Sequence, residues 1–224
     1  IFGESTDTDD RTGNIQKTSD RVPSSQSINQ FLTQYTGVIE QMPPIYSAKK
    51  INGQRAYAIA RNGGIPSLKA KLVQIDKIKK IKKINEKEFV FSVTCGTGTY
   101  VRSIARDLGY ALDVCCHVSK IDRIEYGPFN LKNILSIDRL MQLNHDIDSL
   151  RSIVKPINTV LDDILAVNVS NHEAFKLKNG LSINYKNLDA KTISGKVYTI
   201  YSGQIIAICN IDDGLIKPVR VFNL

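Results

Sequence analysis

Apolar residues recur along this chain with two periods, and the switches between them mark out the elements. Residues 88–94, Glu-Phe-Val-Phe-Ser-Val-Thr, are rich in aromatic and β-branched side chains and predict a strand. A glycine turn, Gly96-Thr97-Gly98, follows. Val101, Ile104, Ala105, Leu108 and Leu112 then recur at helical spacing and form one apolar face. Thr99 is the expected N-cap of that helix. Upstream, Ser24 or Ser25 caps a helix whose apolar face is Ile28, Phe31, Leu32 and Tyr35, ended by Gly37. Residues 117–124 read as a further strand, residues 136–143 as a short helix and residues 144–152 as a polar connector. From about Ile153 the texture changes. Gly180, Gly195, Gly203 and Gly214 punctuate short apolar segments at 197–201, 205–210 and 219–222, which predicts a small β-barrel or sandwich after a short helix near 171–178.

Size and charge narrow this picture. A chain of 224 residues permits one large domain, or one domain with a small appendage. Its apolar content of 42% supports a sizeable core, and no apolar run approaches the ~18 residues of a membrane span. The formal net charge of +8 favours an anionic partner, nucleic acid first, although lysines that are merely solvated give the same total. Cys95, Cys115, Cys116 and Cys209 form no C-x-x-C pair, which argues against a structural zinc site, and adjacent Cys115 and Cys116 are poor disulfide partners. A reducing, cytoplasmic setting is expected. Ile1-Phe2-Gly3 reads as the tail of a strand already under way, so a segment upstream of residue 1 is expected.

Three stretches carry candidate chemistry. Arg102 falls in the first turn of the helix after the glycine turn, where the helix dipole repels a cation. An anion would justify it there, either a carboxylate elsewhere in the fold or a phosphate. Residues 41–61 open with Pro43-Pro44, which enforces an extended approach, turn at Asn52-Gly53 and form a short helix over residues 54–61. Their Tyr46, Lys49, Lys50, Arg55, Tyr57 and Arg61 interleave cations with aromatics. That mixture suits an RNA surface on which bases stack and phosphates pair, and equally an exposed basic loop with tyrosines packed beneath it. Asp7, Asp9 and Asp10 fail the calcium-loop pattern, because the sixth and twelfth places counted from Asp7 hold Thr12 and Thr18; a tight Asx-type turn is expected. The lysine-dense residues 77–83 read as a solvated strand edge, and His117 as a structural histidine.

Together these segments resemble the TruB family of tRNA pseudouridine synthases. The matching residues are 3–10 with Gly13, then 41–61, then Gly98-Thr99-Tyr100-Val101-Arg102 with Asp107-Leu108-Gly109, then Ile121-Asp122-Arg123, and residues 213–222 near the C-terminus. The resemblance covers nearly the whole chain in the expected order. It implies an α+β fold: a mixed-sheet catalytic domain, N-terminally incomplete, over residues 1–150, with a thumb-like RNA-binding insertion at about 43–75, and a small β-rich PUA-like domain over residues 153–224. It implies isomerisation of uridine 55 in the tRNA T-loop without cofactor or metal, by a monomer that contacts the T-loop and T-stem and needs neither membrane nor protein partner. Arg102 would pair with the catalytic aspartate, Tyr100 would pack against the flipped base, and Ile121, where the family usually has leucine, would line the apolar wall behind uracil. Tyr46, Lys49, Lys50, Arg55, Tyr57 and Arg61 would lie on the thumb.

One departure is serious. The family's aspartate sits in a motif of the type G-T-L-D-P-x-A-T-G, and nothing in residues 1–224 matches it. A second pocket tyrosine, carried in the family on the strand leading into Gly3, is also absent. The 224 residues by themselves are therefore expected to be inactive. A non-catalytic tRNA-binding or RNA-folding module would use the same basic surface. A dinucleotide site at Gly96-Thr97-Gly98 would need a third glycine where Val101 stands.

Overall fold

The computed structural model describes residues 1–143, 146–161, 163–185 and 194–223. These residues form two compact units, Ile1–Asp122 and Arg123–Leu224.

In the first unit the elements run β1 (Glu4–Thr6), β2 (Ile15–Thr18), α1 (Ser25–Gln34), β3 (Gly37–Gln41), β4 (Lys50–Ile51), β5 (Gln54–Arg55), α2 (Ala56–Arg61), β6 (Lys71–Lys83), β7 (Phe89–Cys95) and α3 (Val101–Leu112). Strands β3, β6 and β7 make an antiparallel sheet in the order β3-β6-β7. Strand alternation turns Val73 and Ile75 of β6 inward, and a register shift between Ile75 and Lys77 brings Ile78 to the same face. Ile75 and Ile78 meet Ile28, Phe31 and Leu32 of α1 and Ile104 and Leu108 of α3 in one core with Phe2 and Cys116. Each such large side chain stabilises the fold by roughly 1.5–3 kcal/mol through burial. Phe2 also packs edge-on against Phe89, with ring centroids 5.3 Å apart.

Helix α1 starts as expected: Ser24 is its N-cap, and its hydroxyl accepts from Ser27 N–H at 3.1 Å. Helix α3 departs from expectation. Its N-cap is Tyr100, which makes no side-chain cap bond. The Thr99 hydroxyl instead donates to the Gly96 carbonyl at 2.9 Å and closes the glycine turn. At its other end Asp113 adopts the left-handed conformation (φ 51°, ψ 50°) and reverses the chain. The returning segment crosses α3 at Gly109, where an added Cβ would stand 2.9 Å from the Val114 carbonyl oxygen and 3.1 Å from Cys116 Sγ. Residues 117–124 do not form the expected strand. Cys116 and Val118 make single bridges to Phe2 and Asp10, and the flanking backbone has no continuous partner to extend the ladder. His117 is buried, with Nδ1 3.0 Å from the Glu4 carbonyl, and its own carbonyl accepts from the Ile1 amino group.

The second unit contains the β8 (Glu125–Tyr126) and β9 (Phe129–Asn130) hairpin, α4 (Ile137–Gln142), α5 (Ile147–Ile153), β10 (Leu165–Asn168), α6 (Asn171–Lys178), β11 (Ile183–Asn184), β12 (Gly195–Tyr201), β13 (Gln204–Asp212) and β14 (Leu215–Val221). The expected connector at 144–152 is partly helical, because Asp146 caps α5 by accepting from Ser149 N–H. The last five strands form one sheet in the order β10-β12-β13-β14-β11, parallel only between β10 and β12. The β12–β13 and β13–β14 hairpins turn at Ser202-Gly203 and Asp213-Gly214, where all four residues have positive φ, the geometry that matches strand twist. Helix α6 is closed by a Ser170–Glu173 capping box. Its Ala174 and Leu177 pack on Val197, Ile206, Cys209, Ile211 and Ile216. The fold is α+β, with the small β-rich unit that the glycine spacing predicts.

Candidate functional site

Two arginines one helical turn apart on α3 organise the first unit. Arg102 reaches the acidic turn: its Nη1 donates to Asp10 Oδ2 at 3.1 Å and to the Thr8 carbonyl at 3.0 Å, and its Nη2 donates to the Tyr46 carbonyl at 2.9 Å. The cation in the first turn thus has its anion within the chain. Arg106 makes a parallel set of bonds. Its Nη2 donates to the Met42 carbonyl at 2.7 Å and to Asp107 at 3.0 Å, and its Nη1 lies 3.5 Å from Asp9 Oδ2. Both arginines therefore join the acidic turn to the root of the residue 43–63 segment.

A guanidinium has five N–H donors. Three of those on Arg102 are engaged, and Nε and one Nη2 proton have no partner among the described residues. The side chain is 23% exposed and lines neither of the two clefts described below.

The acidic turn is the Asx-type turn expected, with an added role. Asp10 Oδ1 accepts from Thr12 N–H, the Thr12 hydroxyl and the Thr8 hydroxyl, which leaves Oδ2 for Arg102. Asp7 Oδ1 accepts from Asn14 N–H. A Cβ at Gly13 would overlap Asp7 Oδ1 and Thr8 Oγ1, so the turn requires glycine there. For Asp10, burial pushes the pKa upward, but the bonds from Thr12 and Thr8 and the Arg102 charge outweigh it and hold the carboxyl below its usual value. Asp9 goes the other way. Burial raises it to about 6 despite Arg106 and Arg102.

Tyr100 is half-buried where the glycine turn becomes α3, and Gln41 holds its backbone. Tyr100 N–H donates to Gln41 Oε1 at 2.8 Å, and Gln41 Nε2 donates back to the Tyr100 carbonyl at 3.3 Å. Behind Gln41, the Tyr35 hydroxyl donates to Asp107 Oδ2 at 2.5 Å. A cleft of about 300 Å³ beside Tyr100 is lined by Pro43, Ala48, Lys49, Lys71 and Gly98. A larger one, about 730 Å³, runs past Tyr46, Asp9, Arg106 and Tyr110. Ile121 is 54% exposed and lines neither.

The basic segment turns at Asn52-Gly53 as expected, both residues in positive φ, but Gln54 and Arg55 pair with β4 as β5, and the helix expected over 54–61 begins only at Ala56. Its cations divide into two groups. Lys49 donates to the Lys69 carbonyl at 3.0 Å and Arg55 to the Ala48 carbonyl at 2.6 Å, so both are partly spent on the segment's own backbone. Arg61 lies over the Tyr57 ring at 5.6 Å. Lys50 is exposed directly opposite Arg55, a like-charge pair that costs stability without an anion nearby.

Asp10, Arg106 and Gln41 are the residues that sequence reasoning passed over. Arg106 had a signal, since it stands four residues after Arg102 on the same face. The partner role of Asp10 follows from asking which acid meets Arg102. Gln41 had none: a buried amide at a strand end reads like any other polar residue.

The model of the TruB family pseudouridylate synthase N-terminal domain matches residues 1–101, and that of the tRNA pseudouridylate synthase B C-terminal domain matches residues 102–162. Among curated proteins, the chain is 38% identical to a tRNA pseudouridine synthase B of Bradyrhizobium diazoefficiens, covering 100% of this chain and 66% of the relative. It is 37% identical to proteins of the same name from Rhodopseudomonas palustris and Rhodospirillum rubrum, covering 62% and 74% of them. The chain thus spans roughly two thirds of the length of the curated relatives it matches. Among solved structures, a Cbf5-Nop10-Gar1 complex contains a chain of the same fold, with a TM-score of 0.62 at 19% identity over 90% of this chain and 61% of that one.

Proposed function

The chain belongs to the TruB family of tRNA pseudouridine synthases, and from that premise we propose that it builds the nucleotide pocket and RNA grip of an enzyme converting uridine 55 of the tRNA T-loop to pseudouridine. The observation that carries this reading is Arg102: a half-buried guanidinium fixed by Asp10, Thr8 and Tyr46, with two donors left for another anion. No cofactor enters the chemistry. The target nucleotide leaves its stack, at an unstacking cost of a few kcal/mol. An aspartate carboxylate acts on it, the bond from ribose to N1 breaks, the uracil turns, and a bond forms from ribose to C5, the C5 proton leaving while N1 takes one up.

In this scheme Arg102 keeps that carboxylate ionised and oriented. Tyr100 packs against the flipped base, and Ile121 covers the uracil's apolar side once RNA is bound. Tyr46, Lys49, Lys50, Arg55, Tyr57 and Arg61 grip the T-loop backbone, and the unneutralised Lys50–Arg55 pair is where a phosphate would relieve most repulsion. The small β-rich unit, PUA-like in this reading, contacts the tRNA beyond the T-arm. The aspartate motif G-T-L-D-P-x-A-T-G is not among residues 1–224, so these residues alone should bind tRNA without converting it.

The test is Arg102→Ala in enzyme expressed from its complete reading frame. Turnover is expected to fall by at least about 10²-fold, with tRNA affinity largely kept. Loss of affinity with undiminished turnover at saturation would overturn the role given to Arg102.

A further inference from the structure

We infer that Gln41 is a positioning residue for the nucleotide pocket, acting through the backbone of Tyr100; this rests on the reading of Tyr100 as the base-packing residue. Gln41 ends β3 and is only 1% exposed. Burying a primary amide is costly unless its groups are bonded, and an aliphatic side chain would pack there without that demand. Its bonds run to a single residue of the pocket. Tyr100 N–H can only donate, so it faces Oε1; the Nε2 group then donates to the Tyr100 carbonyl and to the Tyr35 hydroxyl oxygen at 3.4 Å. The Tyr35 proton is already directed at Asp107, so rotating the amide by half a turn would set donor against donor at Tyr100.

The start of the turn is tied separately, Gly96 N–H donating to the Gln74 carbonyl at 2.8 Å, whereas at Tyr100 the side chain that bonds the backbone is Gln41. Tyr100 has no side-chain cap of its own, and Thr99 is committed to Gly96. The next residue after Gln41 is pinned to the same helix, since the Met42 carbonyl accepts from Ser103 Oγ and Arg106 Nη2, each at 2.7 Å. Residues 41 and 42, the root of the basic segment, are thus clamped to residues 100, 103 and 106. The ring of Tyr100 starts from a backbone whose place Gln41 sets, and a displacement there of about 1 Å is enough to lower a rate about 10²-fold.

The experiment uses enzyme from the complete reading frame, with tRNA as substrate. Gln41→Met keeps the volume and removes both bonds. Its kcat is expected to fall about 10²-fold, while KM for tRNA changes by less than about threefold. Tyr35→Phe leaves both Tyr100 bonds in place and should keep kcat close to that of the parent. Gln41→Glu supplies an acceptor always and a donor only when protonated, so its kcat relative to the parent should rise as pH falls. Tyr100→Ala is run alongside. If Gln41→Met matches the parent while Tyr100→Ala is impaired, the inference fails. If Tyr100→Ala also matches the parent, the pocket reading fails. Should Gln41→Met not fold, a pH-independent ratio for Gln41→Glu overturns the inference.

Discussion

Replacing Asp10 by Asn removes one charge and changes little else. Asn keeps an oxygen for the Thr12 N–H and the Thr8 and Thr12 hydroxyls, so the turn persists. Its Nδ2 group, however, presents donors to Arg102 Nη1 across the 3.1 Å that the carboxylate now spans. In gross terms a charge pair near a protein surface is worth about 4 kcal/mol at 4 Å. The two side chains are 23% and 24% exposed, which places the pair between the 0.2–1 kcal/mol of exposed pairs and the roughly 3–5 kcal/mol lost when a buried pair is broken. About 2 kcal/mol is a reasonable middle value, and if it falls on the transition state it slows the reaction about 30-fold. The assay is tritium release from tRNA labelled at uridine C5, since that hydrogen must leave when carbon–carbon bonding occurs there. A rate within about threefold of the parent, less than about 0.7 kcal/mol, would refute the argument that Asp10 holds Arg102 for chemistry. The bonds from Thr12 and Thr8, with the Arg102 charge, also fix a pH dependence. The Asp10 pKa is lowered on folding, so its contribution to stability is complete above the unfolded value of 3.8 and is lost as pH falls further.

Asp9 has the opposite sign. Its pKa rises from 3.8 to about 6 on folding, so the native state binds the extra proton and stability falls as pH climbs through that window; Asp9→Asn should flatten that part of the melting-temperature profile, and an unchanged slope would contradict it. Gly109→Ala drives a methyl against the Val114 carbonyl and should destabilise by about 1–3 kcal/mol, read as a lower urea midpoint, whereas an unchanged midpoint would show that the crossing yields freely. Lys50→Ala should reduce the salt dependence of tRNA binding by about one phosphate contact, with a smaller reduction for Lys49→Ala because that amine is half engaged, and equal slopes for both would remove the distinction drawn between them. The 224 residues expressed alone should retain salt-sensitive tRNA binding and release no tritium; release above background would show that the aspartate motif is dispensable.

Much of the fold was legible because local chemistry and tertiary packing agree. Helices α1 and α3 carry clean periodicity, and the long strands of the second unit are set off by glycine turns that stand where positive φ is needed, although β14 starts at Leu215, ahead of the apolar segment expected at 219–222. The misreadings share a cause. Residues 117–124 have strand-like composition, but a strand exists only where a neighbour offers a ladder, and periodicity carries no information about neighbours. Thr99 has the right side chain for a cap, but the helix starts one residue later than that role needs, with Tyr100 at the N-cap, and the Thr99 hydroxyl donates to the Gly96 carbonyl. For the site, the misplaced cation made Arg102 visible, and composition made the basic segment visible. The carboxylate that answers Arg102 lies 92 residues upstream in the chain. The Gln41 clamp spans 59 residues. Contacts over such separations are set by the fold, and no local pattern announces them.

The central claim is that Arg102 serves uridine isomerisation in the T-loop. Its most direct test is to treat tRNA with enzyme from the complete reading frame, parent or Arg102→Ala, and to map pseudouridine by carbodiimide modification and primer extension. A stop at position 55 with the parent and none with the variant is the expected result. A stop elsewhere, or one at position 55 that survives the substitution at parental rate, would contradict the account.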